Sequence, residues 1–439
     1  MANANQPSIP EKSPGPWKVL FRRLLHNRVA VAGGVILLVL YFSSCFAGFL
    51  SPYTYDAGDR DASRAAPMLF GGFEAVEKEI PSKIRPNKTA TVYERQWTWF
   101  EGGVHFHDSD GDFTLRPHVH PLTEIEFRAE WGERSYLRAE DRDVSLPIRF
   151  FVQSDEPHEV FSFLGLLPVE SRWHLFGVEK PDDLEGRAHV FLLGSDAQGR
   201  DLFSRLLYGG QISLSVGLIG VLISMSLGML LGGISGYFGG FVDFLFQRMV
   251  EVILAVPALY LIIVIGGQLR GMKSGDGSPL SSTQIYLFIV VILAFVYWAS
   301  VSRVIRGMVL ALKENEYVVA ARACGVPTLQ IIVKHILPNT FSFGIVTATL
   351  SIPYYILGEV ALSFLGLGIQ DPEASWGNLL RDAQETAYLV EQPWVVAPGV
   401  FIFLAVMGFN FLGDGLRDAA DPKAVIHTAK SADEDDEED

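Results

Sequence analysis

Four histidines, His105, His107, His118 and His120, stand as two His-x-His pairs in a chain of 439 residues. Residues i and i+2 of a strand share a face, so two such pairs on adjacent strands could offer imidazoles to zinc, nickel or copper. Against this, Pro117 and Pro121 disturb the second pair, and no carboxylate is placed to orient the rings. The expectation is no metal, with these four residues as the candidates if one is present. Asp108, Asp110 and Asp112 lack the glycine position and closing glutamate of a calcium loop, and Asp110-Gly111 reads instead as a hairpin tip. Glu251 and Glu359 are carboxylates inside apolar stretches, where a charge is costly and normally faces a cavity or a partner. Each reads as a packing or hydrogen-bonding group or as part of a pathway, and neither implies proton coupling.

Catalytic patterns are missing. There is no G-x-x-x-x-G-K-[ST] phosphate cradle, so the fragment Tyr208–Ser213 (YGGQIS) cannot belong to a nucleotide site in this chain. G-x-S-x-G, H-E-x-x-H and cysteine clusters are absent as well. No enzyme is expected.

The elements that must position these residues are largely apolar. Hydrophobic residues make up 49% of the chain and aromatics 12%, with a mean hydropathy of +0.25, too apolar for an ordinary soluble protein of this size. They concentrate in Val29–Leu50, Ile212–Ile234, Met249–Gly267, Ile285–Val304, Phe341–Ser363 and Val395–Leu412, each near the ~20 residues a helix needs to cross a bilayer. Six spans are therefore expected. The first is too long for a signal peptide and no A-x-A-like site follows it. Lys18, Arg22, Arg23 and Arg28 precede it, and Arg306, Lys313, Arg322 and Lys334 lie between spans four and five. The positive-inside rule then puts both termini in the cytoplasm and residues 51–198 outside it.

That insertion carries short alternating or aromatic runs, Tyr93–Phe100, Gly103–His107, Glu124–Arg128 and Pro147–Val152, separated by turn signals, and so reads as β-rich. The net charge of −15 comes largely from this acidic insertion and the terminal run DEDDEED, a solvated tail. Cys45 and Cys324 are too far apart in this topology to pair. Gly199–Tyr208 separates Leu202, Phe203, Leu206 and Leu207 from Arg200, Asp201, Ser204 and Arg205, as in a short helix on the membrane surface. Gly217, Gly220, Gly228, Gly232, Gly233 and Gly236 give span two a small face for close helix packing.

Between spans four and five the chain builds more than a linker. Glu316–Ala323 is rich in alanine, the best helix former. Gly325 stands where a helix closes in the left-handed conformation, Pro327 where another starts, and Pro338 at the start of span five. Val326, Leu329, Ile332 and Val333 form an apolar stripe, on which a partner or the bilayer surface should dock.

This segment resembles the cytoplasmic loop of permease subunits of binding-protein-dependent ABC importers, whose pattern is Glu-Ala-Ala, three residues, Gly, nine residues, Ile, any residue, Leu-Pro. Ala320, Ala321, Gly325, Leu337 and Pro338 match in register; Val319 stands in place of the Glu and His335 in place of the Ile. Leu193–Gly217 and Ala361–Ala383 resemble corresponding blocks of the oligopeptide/dipeptide (peptide/nickel) group, which also has one N-terminal span ahead of a five-span core. The resemblance covers roughly Trp17–Arg28 and Leu193–Pro422, and the insertion falls outside it.

The resemblance implies an all-α membrane fold of six helices with the β-rich domain inserted. Its parts are a cytoplasmic segment 1–28, a first span 29–50, an extracytoplasmic domain 51–198, a permease core 199–413 holding the coupling loop 307–338, and an acidic tail 414–439. It implies a non-catalytic subunit of an inner-membrane importer in a prokaryote, with oligopeptides or dipeptides as cargo. A second permease subunit, two ATPase subunits that carry ATP and Mg, and an extracytoplasmic substrate-binding protein would be its partners, beside lipid, with no nucleic acid. ATPase coupling would fall on Val319, Ala320, Ala321, Gly325, Val326, Leu329, Leu337 and Pro338, with Glu316 one turn before Val319 as the acidic residue at hand. The competing reading is a membrane-anchored sensor or metal-binding module whose activity lies in the insertion.

Overall fold

The structure is a computed structural model. It describes residues 16–420 apart from 60, 61, 63, 64, 66, 70, 82–88, 100–103, 108–112, 129–133, 141–143, 163–166, 179–188, 270, 276, 387, 388, 390 and 391. The hairpin tip expected at Asp110-Gly111 and the DEDDEED run lie outside the described residues.

Helix α1 (Pro16–His26) stops at Asn27, whose side chain accepts hydrogen bonds from the backbone N–H groups of Val29 and Ala30 and so caps α2 (Arg28–Cys45). A one-turn helix, α3 (Ala47–Leu50), follows. After the inserted strands, Asp201 caps α4 (Leu202–Phe238) through Ser204 N–H, and α4 then runs unbroken for 37 residues. The short surface helix expected over Gly199–Tyr208 is instead the first turns of α4. Its polar side is buried, because Arg200 and Arg205 pair there with Asp196 and Asp371.

Span three is the other departure. Met249–Gly267 is not one rod: α5 (Gly240–Ala255) and α6 (Ala258–Leu269) meet at 87°. Pro257 at the joint has no N–H to give and its ring excludes the preceding turn. At 16 and 12 residues, neither piece reaches the ~20 residues of a full crossing. Helices α7 (Ser282–Leu312), α10 (Phe341–Phe364) and α12 (Ala397–Ala420) complete the bundle. Among the described residues five helices are long and apolar enough to span, or six when the bent pair is taken as one. Helix α12 continues to Ala420, so residues 414–420 belong to the bundle and not to a tail.

Helix α4 lies at the centre of the packing. A Cβ on Gly228 would stand 2.7 Å from Val301 of α7, and one on Gly220 would stand 2.5 Å from Tyr355 of α10. The small face seen in the sequence thus lets two neighbours approach α4 at backbone distance, where lipid supplies no hydrophobic drive. Helix α2 packs on α12 at Gly33 and Gly408 in the same way.

Among the described residues, eight strands lie between 71 and 178. β1 (Gly71–Pro81) and β2 (Thr89–Trp99) pair, as do β5 (Leu122–Arg128) and β6 (Arg134–Glu140). β3 (His105–His107), β4 (Phe113–Val119), β7 (Leu146–Ser162) and β8 (Pro168–Val178) form a four-stranded antiparallel sheet in that order. Val119 and Leu146 from this sheet close a small core with Met68, Val190 and Phe191.

Candidate functional site

The elbow between α7 and α10 is built as the residue types demand. Helix α8 (Glu316–Ala323) ends in a full Schellman closure: Gly325 N–H donates to Arg322 O at 3.0 Å and Val326 N–H to Ala321 O at 3.2 Å. Gly325 adopts φ +74°, the left-handed region in which a side chain costs energy. Pro327 then precedes α9 (Thr328–Gln330), which passes into a π-helical turn (Ile331–Ile336) and a 3-10 turn (Leu337–Thr340), with Pro338 in its first turn, and so into α10. The second limb is therefore not a separate helix, because an unbroken helical path joins the elbow to the spanning helix.

Burial divides the elbow in two. Val318, Ile331, Ile332, Ile336 and Leu337 are buried, and Ile332 and Leu337 lie over Gly233 of α4, 3.1 and 3.3 Å from where a Cβ would stand. The opposite side presents Val319, Leu329 and Val333 at 50%, 59% and 47% exposure, beside exposed Ala320 and Glu316. The stripe Val326, Leu329, Ile332, Val333 is thus split: Ile332 is internal, Val326 half-buried, and only Leu329 and Val333 face outward. Leu337 likewise holds the elbow onto α4, while Ala321 is half-buried and Pro338 exposed. Arg322 adds a cation–π contact 5.4 Å from the ring centre of Tyr237 at the end of α4.

An ion pair unforeseen from sequence braces the same end. Arg306 donates to both oxygens of Asp243, at 3.0 and 2.5 Å, and Ser235 Oγ donates to one of them at 2.6 Å. It ties α4, α5 and α7 together beside the elbow. Arg306 counts in the sequence as a loop cation, and only the length of α7 reveals it as a helix residue one side chain from α5.

The two intramembrane carboxylates separate clearly. Glu359 is fully buried and accepts from Ser213 Oγ at 2.9 Å and Ser363 Oγ at 2.8 Å. Ser213 Oγ in turn accepts from Trp376 N–H at 3.1 Å, and Ser363 Oγ from Ile369 N–H at 3.0 Å. The carboxylate thus pins the segment after α10, including the single turn α11 (Trp376–Leu379), to α4. Glu251 is 47% exposed and pairs with Arg248 one turn back at 2.7 Å, an ion pair on the outside of the bundle.

Leu193–Gly217 and Ala361–Ala383 meet in space. Asp371 Oδ1 lies 2.9 Å from both Arg200 and Arg205, and Asp196 lies 2.7 Å from Arg200. Burial alone would raise Asp371, but the guanidinium groups of Arg205 and Arg200 more than reverse this, so its carboxyl titrates below the usual range. Beside this clamp is a cavity of about 610 Å³, walled by Tyr55, Asp56, Glu159, Tyr208, Tyr286 and Glu373. Burial, then the neighbouring Asp56 and Glu159, hold the Glu373 carboxyl above its ordinary value.

In the insertion, the rings of His105, His118 and His120 do come together, with centres 4.8 to 5.5 Å apart. His120 Nδ1 shares a hydrogen with Val144 O at 2.7 Å. Among the described residues, however, no group of histidine, cysteine, aspartate or glutamate has the arrangement to hold a metal ion; the side chain of His107 is outside the described residues.

A bundle of helices long and apolar enough to span a bilayer, with an outward-facing elbow at one end, defines a multi-pass membrane protein. The comparisons agree. Residues 228–426 match the family described as binding-protein-dependent transport system inner membrane component, and residues 15–67 match the N-terminal transmembrane domain of oligopeptide transport permease C. The chain is 44% identical over 236 residues to the oligopeptide transport system permease protein OppC of Haemophilus influenzae, covering 54% of this chain and 70% of that one. It is 41% identical over 232 residues to the dipeptide transport system permease protein DppC of Bacillus subtilis, covering 52% and 68%. Among solved structures it is similar to the MetNI methionine ABC transporter, at 17% identity and a TM-score of 0.36, over 49% of this chain and 95% of that one. The chain belongs to the family of binding-protein-dependent transport system inner membrane components, among its peptide permeases. The reading as a solitary sensor is not favoured by these relatives.

Proposed function

We propose that the chain is the permease subunit of an ATP-driven importer of oligopeptides or dipeptides. A second permease subunit would complete the pore, two ATPase subunits carrying ATP and Mg would grip the elbows, and a substrate-binding protein would deliver cargo at the opposite face. The elbow end and both termini are then cytoplasmic, residues 51–198 are extracytoplasmic, and the membrane is the inner membrane of a prokaryote. The basic residues Lys18, Arg22, Arg23, Lys313 and Lys334 on the elbow side support this orientation.

One observation carries the reading: the elbow exposes Val319, Leu329 and Val333 on a support whose reverse side is buried, with Ile332 and Leu337 packed over Gly233 of α4. Apolar residues exposed together on an ordered element mark an interaction surface. Force applied there has two rigid routes into the membrane, directly into α10 and through Ile332 and Leu337 into α4. The chain's own chemistry is conformational, with hydrolysis on its partners. Gly325→Glu, which puts a charge and a side chain at φ +74° on that surface, should abolish peptide uptake and cargo-stimulated ATP hydrolysis in proteoliposomes while membrane insertion persists. Normal uptake by that variant contradicts the proposal.

A further inference from the structure

The hairpin β7–β8 presents large apolar side chains that stand exposed among the described residues: Phe150 and Phe151 at 62%, Leu167 at 65%, Val169 at 53% and Trp173 at 43% exposure. The same hairpin is fastened to the end of the first spanning helix. Phe161 packs on Phe46 with ring centres 4.9 Å apart, His158 Nε2 meets Gly48 O at 3.2 Å, and His174 Nδ1 meets Ser51 O at 2.7 Å. The strand backbone rides so close that a Cβ on Gly48 would strike Glu159 O, and Tyr208 of α4 donates to that same oxygen at 3.2 Å.

These contacts fix the direction of the hairpin. From Phe161 back to His158 and then to His174, its partners on the helix side advance from Phe46 to Gly48 to Ser51, away from the membrane interior. The end of the hairpin at Ser162 and Pro168 therefore points the other way, back along α2. Helix α2 has 18 residues, about 27 Å of rise, so Phe46 stands near the boundary of a hydrocarbon core about 30 Å thick. Val169 is paired with Phe161 and shares that level; Pro168, paired with Ser162, is one strand step further on, and Leu167 adjoins it at the hairpin end. Trp173, opposite Gln153, lies at the level of Ser51, where aromatic rings collect at membrane interfaces.

The surface is also continuous with one that lipid must already cover. Val31, Val35, Leu38, Val39 and Phe42 form the exposed stripe of α2. Phe42 contacts Phe46 at 4.7 Å, Phe46 contacts Phe161, and Phe49 contacts Phe151 at 6.3 Å. We infer that the β7–β8 hairpin is a shallow membrane anchor, with Leu167 and Val169 in the acyl chains of the adjacent leaflet and Trp173, Phe150 and Phe151 in its headgroup belt. The inference needs only that α2 crosses the bilayer. It does not depend on the cargo, on the ATPase, or on which leaflet faces out. Its consequence is that the insertion is held flat against the membrane beside the start of α4 and does not swing free on a tether.

The test places an environment-sensitive fluorophore on Leu167→Cys, and separately on Val169→Cys, in a Cys324→Ser background of the full chain assembled with its partner subunits in phosphatidylcholine nanodiscs. Cys45 is buried and does not compete for label. Lipids spin-labelled near the top of the acyl chain should quench both probes at least about threefold more than the same probe on Asp56→Cys, an exposed position clear of the anchor, and iodide in the buffer should quench them less than that reference. Strong iodide quenching with no effect of spin-labelled lipid overturns the anchor. Shielding from both quenchers in the assembled transporter, with iodide access in the chain alone, also overturns it and assigns the surface to a protein partner. A chain that fails to bind an ATPase but shows lipid quenching separates this inference from the proposed function.

Discussion

Leu329 and Ile332 sit three residues apart in one sequence stripe, yet the structure gives them opposite duties. Leu329 is 59% exposed and Ile332 is fully buried. Complete burial of a leucine side chain is worth about 1.5–3 kcal/mol, so covering the exposed three-fifths of Leu329 under a docked partner contributes about 1–2 kcal/mol. Leu329→Ala should lose about 1 kcal/mol of this, a roughly fivefold weaker affinity for the ATPase subunits, while the melting temperature of the isolated chain is unchanged. Ile332→Ala opens a cavity against α4 at Gly233 and should cost about 2–5 kcal/mol of fold stability. The assay is a titration of each variant in nanodiscs with purified ATPase subunits, paired with thermal unfolding of the chain alone. Unchanged affinity for Leu329→Ala, with Ile332→Ala weakening the complex but melting normally, would refute the assignment of the two sides.

Other variants probe the supports. Glu359→Gln keeps a carbonyl acceptor for one of Ser213 and Ser363 and offers an NH2 donor to the hydroxyl oxygen of the other, so it should leave folding and uptake near wild type, whereas Glu359→Leu strands both hydroxyl groups and should cost about 1–3 kcal/mol in thermal stability; a loss of uptake in a well-folded Glu359→Gln would assign the carboxylate a role in transport. Burial, then the stacked ring of His158 4.0 Å away, holds His174 below its ordinary value of 6.5. The unfolded chain binds a proton near that value which the folded chain refuses, so this junction is fully stabilising above it and loses stability as pH falls from there toward the lowered folded value. The melting temperature should therefore drop between about pH 7.5 and about pH 5.5 by more in the parent than in His174→Gln, and equal slopes would remove His174 as the cause. Gly325→Ala, which meets no neighbour within 4 Å but keeps φ +74°, should cost about 1–2 kcal/mol locally, read as faster amide exchange across α8 with the rest of the bundle unchanged.

The parts of the fold legible in the sequence were those written in local chemistry. Blocks of apolar residues predict the spans because a bilayer demands length, and Gly325 with Pro327 predicts the elbow because left-handed closure and a fixed φ each suit one residue type. The glycines of α4 announce close packing without naming the partners. What stayed hidden depended on tertiary neighbours. Arg205 and Ser204 alternate with apolar residues just as a surface helix would, and only Asp371, over 160 residues later, turns that polar side inward. Pro257 is visible, but whether it kinks a helix or breaks it by 87° depends on what packs around it. The elbow's two faces could not be told apart by periodicity, since both are apolar, and Asp243 with Arg306 gives no signal until α7 is known to continue to Leu312. The run at Pro147–Val152 pointed to a strand, but not to a 17-residue one packed against the one-turn helix α3 that follows the first span.

Whether the elbow is a handle gripped by a motor on another chain is tested most directly at Cys324, the exposed thiol beside Gly325. In the assembled transporter, a short heterobifunctional crosslinker on Cys324 should capture an ATPase subunit, with a yield that changes between the nucleotide-free and ATP-bound states, and locking that link should stop peptide uptake. Capture of lipid alone while peptide still enters would contradict it.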